Sequence, residues 1–233
     1  MAEIYKLRSQ PLIPSVYDKR NKGREYVLRI TLDDVKPLVS RKISVPSNIR
    51  LYHLAPIILR VMGWVGYHME QFVYNKTTYY EPKEEVEESK AIEQELDSKV
   101  TTIDWATVTI GDVLKKKGDS IKYVYDMGDY WEHNVKLMEI HNYPLHADRT
   151  VYILEGKNAC PPDDVGGTDG FQHMLDVLTH PTRDLDEWKT FKDWLPRNYD
   201  PKVFNIHDAE LRLWDYLRAI STFRQMLGEN GEE

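Results

Sequence analysis

Two nine-residue segments of this chain concentrate the side chains that could do chemistry. We call residues 125–133 the histidine motif and residues 159–167 the cysteine motif, after the imidazole or thiol that each contains. Carboxylates gathered around an imidazole are ligands that a divalent cation accepts, and a thiol whose pKa is lowered is a nucleophile. The two motifs are therefore the candidate site, and other elements of the chain must position them.

The histidine motif supplies three carboxylates and one imidazole as candidate polar site residues: Asp126, Asp129, Glu132 and His133. Gly128 permits a positive φ, so the chain can turn back there and bring the first carboxylate near the following strand. We expect turn chemistry in this segment, with aspartates capping backbone amides, Trp131 packed inward and the histidine hydrogen-bonded. Gly128 and Trp131 are thus predicted to be structural.

A divalent metal is the alternative interpretation of the same segment. Its candidate ligands combine the motif with a histidine of another predicted strand: His68, Asp126, Asp129 and His133. Oxygen and nitrogen ligands of this kind suit a divalent cation. The chain has no short His/Cys metal signature, so the sequence favours a protein without a cofactor and keeps the metal as the alternative.

The cysteine motif adds the polar candidates Cys160, Asp163 and Asp164. A nucleophilic thiol needs a nearby cation or a helix N-terminus, and the two acidic neighbours disfavour the thiolate. We therefore expect a small buried thiol beside a rigid proline turn. The predicted structural residues of the motif are two prolines and two glycines: Pro161, Pro162, Gly166 and Gly167. The glycine pair is expected to be a flexible strand-to-helix joint, since it lacks the spacing and the lysine of a phosphate loop.

Charge is concentrated in one segment of the chain. The formal net charge of the 233 residues is −7, and residues 80–99 hold eight acidic side chains against three lysines. That segment alone carries −5, so the remainder carries about −2. A protein that binds duplex DNA is expected to show a basic field, because phosphate neutralisation dominates such affinity. Any contact with nucleic acid would have to use a local basic patch.

Composition places the chain among globular proteins of a reducing compartment. It is 41% hydrophobic and 30% charged, which is typical of a folded domain rather than a disordered one. Its single cysteine cannot form an internal disulfide. The N-terminus lacks an apolar stretch of signal-peptide length, and no later run is long enough to span a bilayer. We expect a cytoplasmic protein that does not bind membranes.

Hydrophobic periodicity predicts a mixed α+β fold. Residues 26–32 and 39–45 have the pattern of two strands of a hairpin, and residues 51–62 repeat apolar side chains at helical spacing. Residues 68–74 follow as a third strand, which completes an early strand–strand–helix–strand unit. Paired strands around the histidine motif and a strand before the cysteine motif come next, and the C-terminal part is helical. We expect one mixed sheet with helices packed on it.

The same patterns divide the chain into parts. Residues 1–24 mix proline, serine and charge without periodicity, and are expected to form a loosely attached arm. Residues 25–213 are predicted to form a single α+β domain, in which residues 80–99 are an acidic insertion with few apolar anchors. Residues 214–233 are predicted to be a helical extension and a tail.

Four separated groups of residues resemble, in this order along the chain, the plasmid pRiA Orf-three-like domain family. They are Met62-Gly63-Trp64 with His68 and Gln71-Phe72, the histidine motif, the cysteine motif, and Tyr199-Asp200-Pro201 with Phe204. The resemblance covers roughly residues 25–213. Members of this family occur in plasmids, transposons and bacterial chromosomes, and some carry a TnpR-like (transposon resolvase) label. The resemblance implies a fold and leaves the biochemical activity open.

The chain departs from the family pattern at two places. The second strand of the family usually carries Ile-Trp-Arg-Arg, and here Ser40 replaces the tryptophan before Arg41 and Lys42. Met127 stands where the family has phenylalanine, an exchange between large apolar side chains that proteins tolerate. The first departure weakens the expectation that the surface of the hairpin is a shared binding site.

Three functional hypotheses follow. The leading one is a non-enzymatic binding or accessory module associated with plasmids or transposons, whose partner is another protein or a small ligand. The first alternative is a metal-dependent hydrolytic enzyme that uses the four candidate metal ligands. The second is a nucleic-acid-associated protein with a local basic face made by Arg29, Arg41 and Lys42. An open cleft in which His68 and His133 meet a carboxylate favours the enzyme, and separately buried histidines favour the module.

Overall fold

The structure is a computed structural model that describes residues 24–95, 99–142, 151–180 and 184–226. Within these residues it consists of one eight-stranded sheet and six helices, of which three lie in the C-terminal part. This mixed sheet with a helical C-terminal part is the predicted α+β class, which is confirmed. The predicted N-terminal arm lies outside the described residues, apart from its last residue, Arg24.

The strands are numbered in chain order: β1 Glu25–Leu32, β2 Ser40–Pro46, β3 Glu70–Tyr74, β4 Thr78–Glu81, β5 Thr101–Asp104, β6 Ser120–Tyr125, β7 Trp131–His141 and β8 Tyr152–Lys157. Across the sheet they follow the order β5-β4-β3-β6-β7-β1-β2-β8. All neighbouring strands are antiparallel except β4 and β5, which are parallel. The strands of the histidine motif, β6 and β7, are therefore central and paired on both sides.

The helices are α1 Leu51–Met62, α2 Lys83–Glu95, α3 Ile110–Val113, α4 Gly167–Thr179, α5 Leu185–Trp194 and α6 Ile206–Met226. Tyr26, Leu28 and Ile30 of β1 are fully buried in one hydrophobic cluster with α1, because alternate residues of a strand face the same side. Helix α6 contacts both α1 and β8. The core thus lies on one face of the sheet, under α1.

The predicted strand–strand–helix–strand unit is present as β1, β2, α1 and β3. Helix α1 spans the predicted residues and ends at Gly63, which has a φ of 128°, a conformation that favours glycine. The N–H of Gly63 donates to the carbonyl of Leu59 at 2.8 Å. Strand β3 begins at Glu70 rather than at the predicted His68. The loop between α1 and β3 is therefore longer than predicted and carries His68 to the candidate site.

The acidic segment contributes regular structure to one edge of the sheet. Helix α2 lies between β4 and β5, which pair in parallel through this crossover. Val86 of α2 is buried, while acidic side chains such as Glu87 and Glu88 are exposed. The sequence patterns do not predict β4 and β5, because each strand is only four residues long and lacks a clear alternation.

Helices α4, α5 and α6 make up the predicted helical C-terminal part. Helix α6 runs without a break through residue 213, so the predicted boundary between domain and extension falls inside a helix. Leu213 is buried and Leu217 packs against the same core, which explains why the helix continues there. Among the described helices, none has the length and apolar character needed to cross a membrane.

Candidate functional site

The two motifs meet at one corner of the molecule, beside the loop that follows α1. His68 of that loop, Asp126 of the histidine motif and Asp164 of the cysteine motif bring one ligand atom each within 4.8 Å of one another. The Nε2 atom of His68 lies 3.6 Å from Oδ2 of Asp126 and 3.4 Å from Oδ1 of Asp164. We call His68, Asp126, Asp163 and Asp164 the acidic corner.

Asp126 is held in place by the turn between β6 and β7. Its φ of 61° lies in the left-handed region, which aspartate enters more readily than most residues. Its Oδ1 accepts hydrogen bonds from the N–H groups of Gly128 at 2.8 Å and Asp129 at 3.3 Å, and its own N–H donates to the carbonyl of Met69 at 2.9 Å. Turn chemistry thus occupies one carboxylate oxygen of Asp126, and the other faces His68.

Asp129 joins the two motifs to each other. Its Oδ2 accepts a hydrogen bond from the N–H of Gly166 at 3.2 Å. The next residue, Gly167, has a φ of 67°, and a Cβ atom there would lie 2.8 Å from the carbonyl oxygen of Asp129, closer than real contacts allow. Both features require glycine at position 167. The glycine pair therefore holds the two loops in contact as well as joining a strand to α4.

Asp163 is half-buried beside the corner. The hydroxyl of Tyr125 lies 3.4 Å from Oδ1 of Asp163 and accepts a hydrogen bond from the N–H of Tyr67 at 3.3 Å. Burial and the neighbouring carboxylate of Asp164 raise the pKa of Asp163, while the imidazole of His68 lowers it. The corner therefore brings three carboxylates around a single imidazole.

An aromatic layer supports the corner from the core side. Trp64 stacks on Tyr125 with ring centroids 5.3 Å apart and contacts Trp131 at 5.6 Å. The Nε1 atom of Trp64 donates to the carbonyl of Pro161 at 2.9 Å. Trp131 is buried, as predicted. Trp64 thus fixes the loop after α1 to both motifs.

His133 does not join His68. Its side chain is fully buried, and its Nδ1 lies 3.1 Å from the carbonyl oxygen of Tyr123. Burial lowers the pKa of His133 to about 4, so the ring is neutral near pH 7. Within the described residues the predicted metal set of four is therefore not assembled, and Asp164 stands with His68 and Asp126 instead. The alternation of β7, which turns residue 133 into the core, is the physical reason.

Glu132 lies on the opposite face of the sheet from its buried neighbours on β7. Its Oε1 is 2.7 Å from Nζ of Lys122, which also pairs with Asp33. Successive residues of a strand point to opposite faces, so the inward positions of Trp131 and His133 turn Glu132 away from the core. Glu132 is therefore not part of the corner, contrary to its selection from the sequence.

Cys160 is buried near the C-terminal end of α1. A Cβ atom on Gly63 would lie 4.0 Å from the Cβ of Cys160, and the carbonyl of Cys160 accepts a hydrogen bond from the hydroxyl of Tyr199 at 3.1 Å. Burial raises the pKa of the thiol well above its usual value, although the nearby Arg41 works against this shift. The thiol stays protonated near neutral pH, in agreement with the expected small buried side chain.

Arg41 occupies the same buried region. Its side chain is 1% exposed, and its guanidinium donates to the carbonyls of Val61 at 2.8 Å and Asn158 at 3.0 Å. The ring of Phe204 covers it at 3.9 Å. Arg41 therefore connects β2 with the end of α1 and with the residue after β8, and it is not available to a nucleic acid.

The other two residues of the predicted basic face are engaged in ion pairs. Arg29 lies 3.3 Å from Glu155, and Lys42 lies 3.4 Å from Glu139. Because Arg41 is buried and both remaining cations have an acidic partner, these three residues do not form the unpaired basic patch that phosphate binding needs.

Sequence reasoning missed two tyrosines that border the corner. Tyr67 is 83% exposed and Tyr130 is 52% exposed, and each is a chain neighbour of a polar residue of the site. The available signal was a large aromatic side chain directly before His68 and another inside a polar turn, positions at which burial is not expected.

Two relatives are described without a function. The chain is 32% identical over 158 residues to an uncharacterised protein, y4hQ, of Sinorhizobium fredii, an alignment that covers 67% of this chain and 74% of the relative. It is also similar to the crystal structure of a protein of unknown function, MM3350, of Methanosarcina mazei, with a TM-score of 0.65 and 26% identity. That similarity covers 82% of this chain and 98% of the other. The solved structure supports the fold, and neither relative adds a reaction.

The family is settled by the match along the chain. The family described as plasmid pRiA4b ORF-3-like protein matches residues 24–208, which include His68, both motifs, α4 and α5. This range also agrees with the resemblance seen in the sequence. The chain therefore belongs to the plasmid pRiA4b ORF-3-like family.

Proposed function

We propose that the protein is a non-enzymatic binding module whose acidic corner holds a divalent cation. One observation carries this proposal: three ligand atoms, Nε2 of His68 and one carboxylate oxygen each of Asp126 and Asp164, lie within 4.8 Å of one another. They come from three separate segments, so the folded chain is needed to assemble them. An imidazole nitrogen combined with carboxylate oxygens suits Zn²⁺ or Mn²⁺ better than Mg²⁺ or Ca²⁺, which prefer oxygen ligands alone.

The electrostatics of the corner support a cation. Asp163 and Asp164 are adjacent in the chain, and their repulsion contributes to the raised pKa of Asp163. A divalent ion held by Asp126 and Asp164 would relieve this repulsion, because opposite charge favours the ionised form of a carboxyl group. Asp164 and His68 are accessible, with side chains 75% and 33% exposed, so an ion can enter without unfolding the loop.

Isothermal titration of the purified protein with Zn²⁺, Mn²⁺ and Mg²⁺ tests the proposal. We expect one ion per chain, with Zn²⁺ or Mn²⁺ preferred, and a loss of binding of at least about tenfold, or about 1.4 kcal/mol, in His68→Ala and in Asp164→Asn. His180→Ala and Asp186→Asn are matched controls, since both side chains are exposed, one directly after α4 and the other on α5, and they should bind like the unmodified chain. Equal binding by all four variants, or no binding by the unmodified chain, contradicts the proposal.

The hydrolytic alternative depends on both histidines lining one cleft with Asp126 and Asp129. The buried position of His133 does not meet that requirement, and Asp129 bonds to the cysteine motif instead. The nucleic-acid alternative is weakened in the same way by the burial of Arg41. A binding module is therefore the function that the geometry supports best.

The cellular setting belongs to the same proposal. We place the module in the cytoplasm, supported by a single cysteine that is free and buried, as expected in a reducing compartment. We propose an association with plasmids or transposons, of which the plasmid part is supported by the description of its family. Copy number and stability of a host plasmid, compared between cells with the intact gene and cells with His68→Ala, test this association. Unchanged plasmid behaviour after deletion of the whole gene contradicts it.

A further inference from the structure

Exposed apolar side chains border the acidic corner on two sides. They come from the loop after α1 and from the turn between β6 and β7: Val65, Tyr67, Met69, Met127 and Tyr130. Their exposed fractions are 49%, 83%, 57%, 38% and 52% in that order. We call these five residues the apolar collar.

Backbone contacts place the collar directly against the corner. The N–H of Tyr67 bonds to the hydroxyl of Tyr125 at 3.3 Å, and the carbonyl of Met69 accepts from the N–H of Asp126 at 2.9 Å. On the other side, the N–H of Tyr130 donates to the carbonyl of Asp126 at 2.6 Å. The two halves of the collar are therefore joined through the backbone of Asp126.

The composition of the collar is that of a protein interface. Tyrosine and methionine are enriched where proteins bind one another, whereas lysine and glutamate are depleted. Methionine adapts its shape to different partners, and tyrosine supplies a large rigid surface at a low cost in conformational entropy. A cluster of five such exposed side chains around one polar site marks an interaction surface more often than chance exposure.

Charge decides which partner fits this surface. Within the described ranges, no lysine or arginine is ion-paired with the four aspartates of the two loops, and the one basic group in contact with them is the imidazole of His68. These aspartates are Asp126, Asp129, Asp163 and Asp164. A partner that brings a cation is therefore electrostatically complementary, and one that brings an anion is rejected.

From these contacts we propose that the apolar collar and the acidic corner together dock a segment of a partner protein that presents an arginine between apolar side chains. The planar guanidinium can bond a carboxylate with two parallel N–H groups and can also lie over a tyrosine ring. Its aliphatic stem would contact Met69 or Met127. Lysine is a poorer fit, because its ammonium lacks the planar fork.

The inference rests on the proposed function because both use the acidic corner, yet the two draw on different side chains. A divalent ion at His68, Asp126 and Asp164 does not use Asp129 or Asp163. One oxygen of each of these two carboxylates is bonded within the loops, and the other is proposed to accept from the guanidinium. Docking is therefore expected both with the ion and after its removal by a chelator, whereas the metal proposal concerns the ion alone.

Fluorescence anisotropy with labelled decapeptides tests the docking. The probe alternates leucine and arginine, and two control peptides alternate leucine with glutamate or serine with arginine. We expect the first peptide to bind and both controls to bind at least tenfold more weakly, because the surface selects for charge and apolar contact together. The full chain is used throughout, once with Zn²⁺ and once with a chelator.

Variants locate the binding surface. The double substitution Tyr67→Ala with Tyr130→Ala should weaken binding of the leucine–arginine peptide at least about tenfold. Asp163→Asn should also weaken binding of this peptide. Tyr52→Ala is the matched control, because Tyr52 is 51% exposed on α1, and it should bind unchanged. Circular dichroism confirms that each variant is folded.

The outcomes separate docking from metal binding. Docking is supported if the unmodified chain still binds the leucine–arginine peptide in the presence of the chelator and the double variant does not. This conclusion does not depend on the result of the metal titration. The inference is overturned if the unmodified chain binds none of the peptides at concentrations up to about 1 mM, the weak end of specific affinity. Equal binding of all three peptides, or equal binding by the double variant and the Tyr52→Ala control, also overturns it.

Discussion

The two halves of the cysteine motif lie in opposite environments. Its first half, with Cys160 and Pro161, is buried beside the guanidinium of Arg41. Its second half, with Asp163 and Asp164, reaches the surface and faces the imidazole of His68. Only three residues separate the thiol of Cys160 in the core from the carboxylate of Asp164, which is 75% exposed.

The difference shows how polar groups in a fold and in a site are satisfied. In the buried half, backbone carbonyls accept the hydrogen bonds of Arg41 and the backbone of Cys160 bonds to Tyr199, as buried polar groups require. In the exposed half, Asp163 and Asp164 share one imidazole with Asp126 of the histidine motif, so negative charge remains for a ligand. The type of a polar residue alone does not show whether it supports the fold or binds a ligand. The groups with which it forms hydrogen bonds or ion pairs do show this.

The largest expected change in stability comes from substitution of Arg41, which lies beside the buried half of the cysteine motif. Arg41→Ala should lower the free energy of unfolding by at least about 3 kcal/mol, because it leaves several buried carbonyls without a donor. Arg29→Ala is the control, since its side chain is 45% exposed, and it should change stability by less than about 0.5 kcal/mol. Urea denaturation measures both.

A second, milder variant keeps the prediction testable if Arg41→Ala does not fold. Arg41→Lys keeps a positive charge but cannot donate to as many carbonyls, so its loss of stability should lie between those of Arg41→Ala and the unmodified chain. Equal stabilities of Arg41→Ala and Arg29→Ala would show that the buried half does not depend on this side chain.

An intermediate effect is expected from pH, through His133. Its pKa is lowered from 6.5 to about 4 in the folded chain, so the unfolded chain takes up a proton first as the pH falls. The stability that the neutral ring provides is complete above pH 6.5 and is lost between there and about pH 4. The span corresponds to about 3 kcal/mol. Urea denaturation at a series of pH values should show this loss.

His133→Phe isolates this contribution from those of other titrating groups. It should flatten the profile between pH 6.5 and 4 relative to that of the unmodified chain. Parallel profiles for the unmodified chain and His133→Phe would mean that His133 has the same pKa in the folded and the unfolded chain. That result would contradict the lowered pKa that its complete burial predicts.

The smallest effect on stability is expected at the exposed half. Asp164→Asn should change the free energy of unfolding by less than about 0.5 kcal/mol, because the side chain is largely exposed and asparagine accepts the positive φ of 58° at this position. Thermal denaturation measures this change without added metal. A loss of several kcal/mol would show that Asp164 holds the fold rather than a ligand.

Much of the fold could be predicted from the sequence because its signals are local. Apolar spacing located α1 and its end at Gly63, and alternation located β1, β2, β6 and β7. Strands β4 and β5 were not predicted, because four residues are too few to show the alternation of apolar and polar side chains that is typical of a strand. The ordered α2 depends on a tertiary contact of Val86, which composition does not reveal.

The site could be predicted only in part, because its membership is set by long-range packing. The sequence selected His68, Asp126 and Asp164 among the candidates, and the loop contact through Asp129 and Gly166 brings their motifs together. The prediction that Trp131 packs inward already implied that His133 turns into the core, but the metal interpretation of the motif did not follow that implication. Knowing that Trp131 packs inward fixes the direction of every other residue on that strand.

Diffraction from crystals soaked in Mn²⁺ or Zn²⁺, recorded at the absorption edge of the metal, gives the clearest test of the proposed cation site. We expect one anomalous peak in the acidic corner, within bonding distance of Nε2 of His68 and of carboxylate oxygens of Asp126 and Asp164. The same soak of Asp164→Asn crystals should show a weaker peak or none. A corner without a peak, while metal binds elsewhere on the chain, would contradict the account.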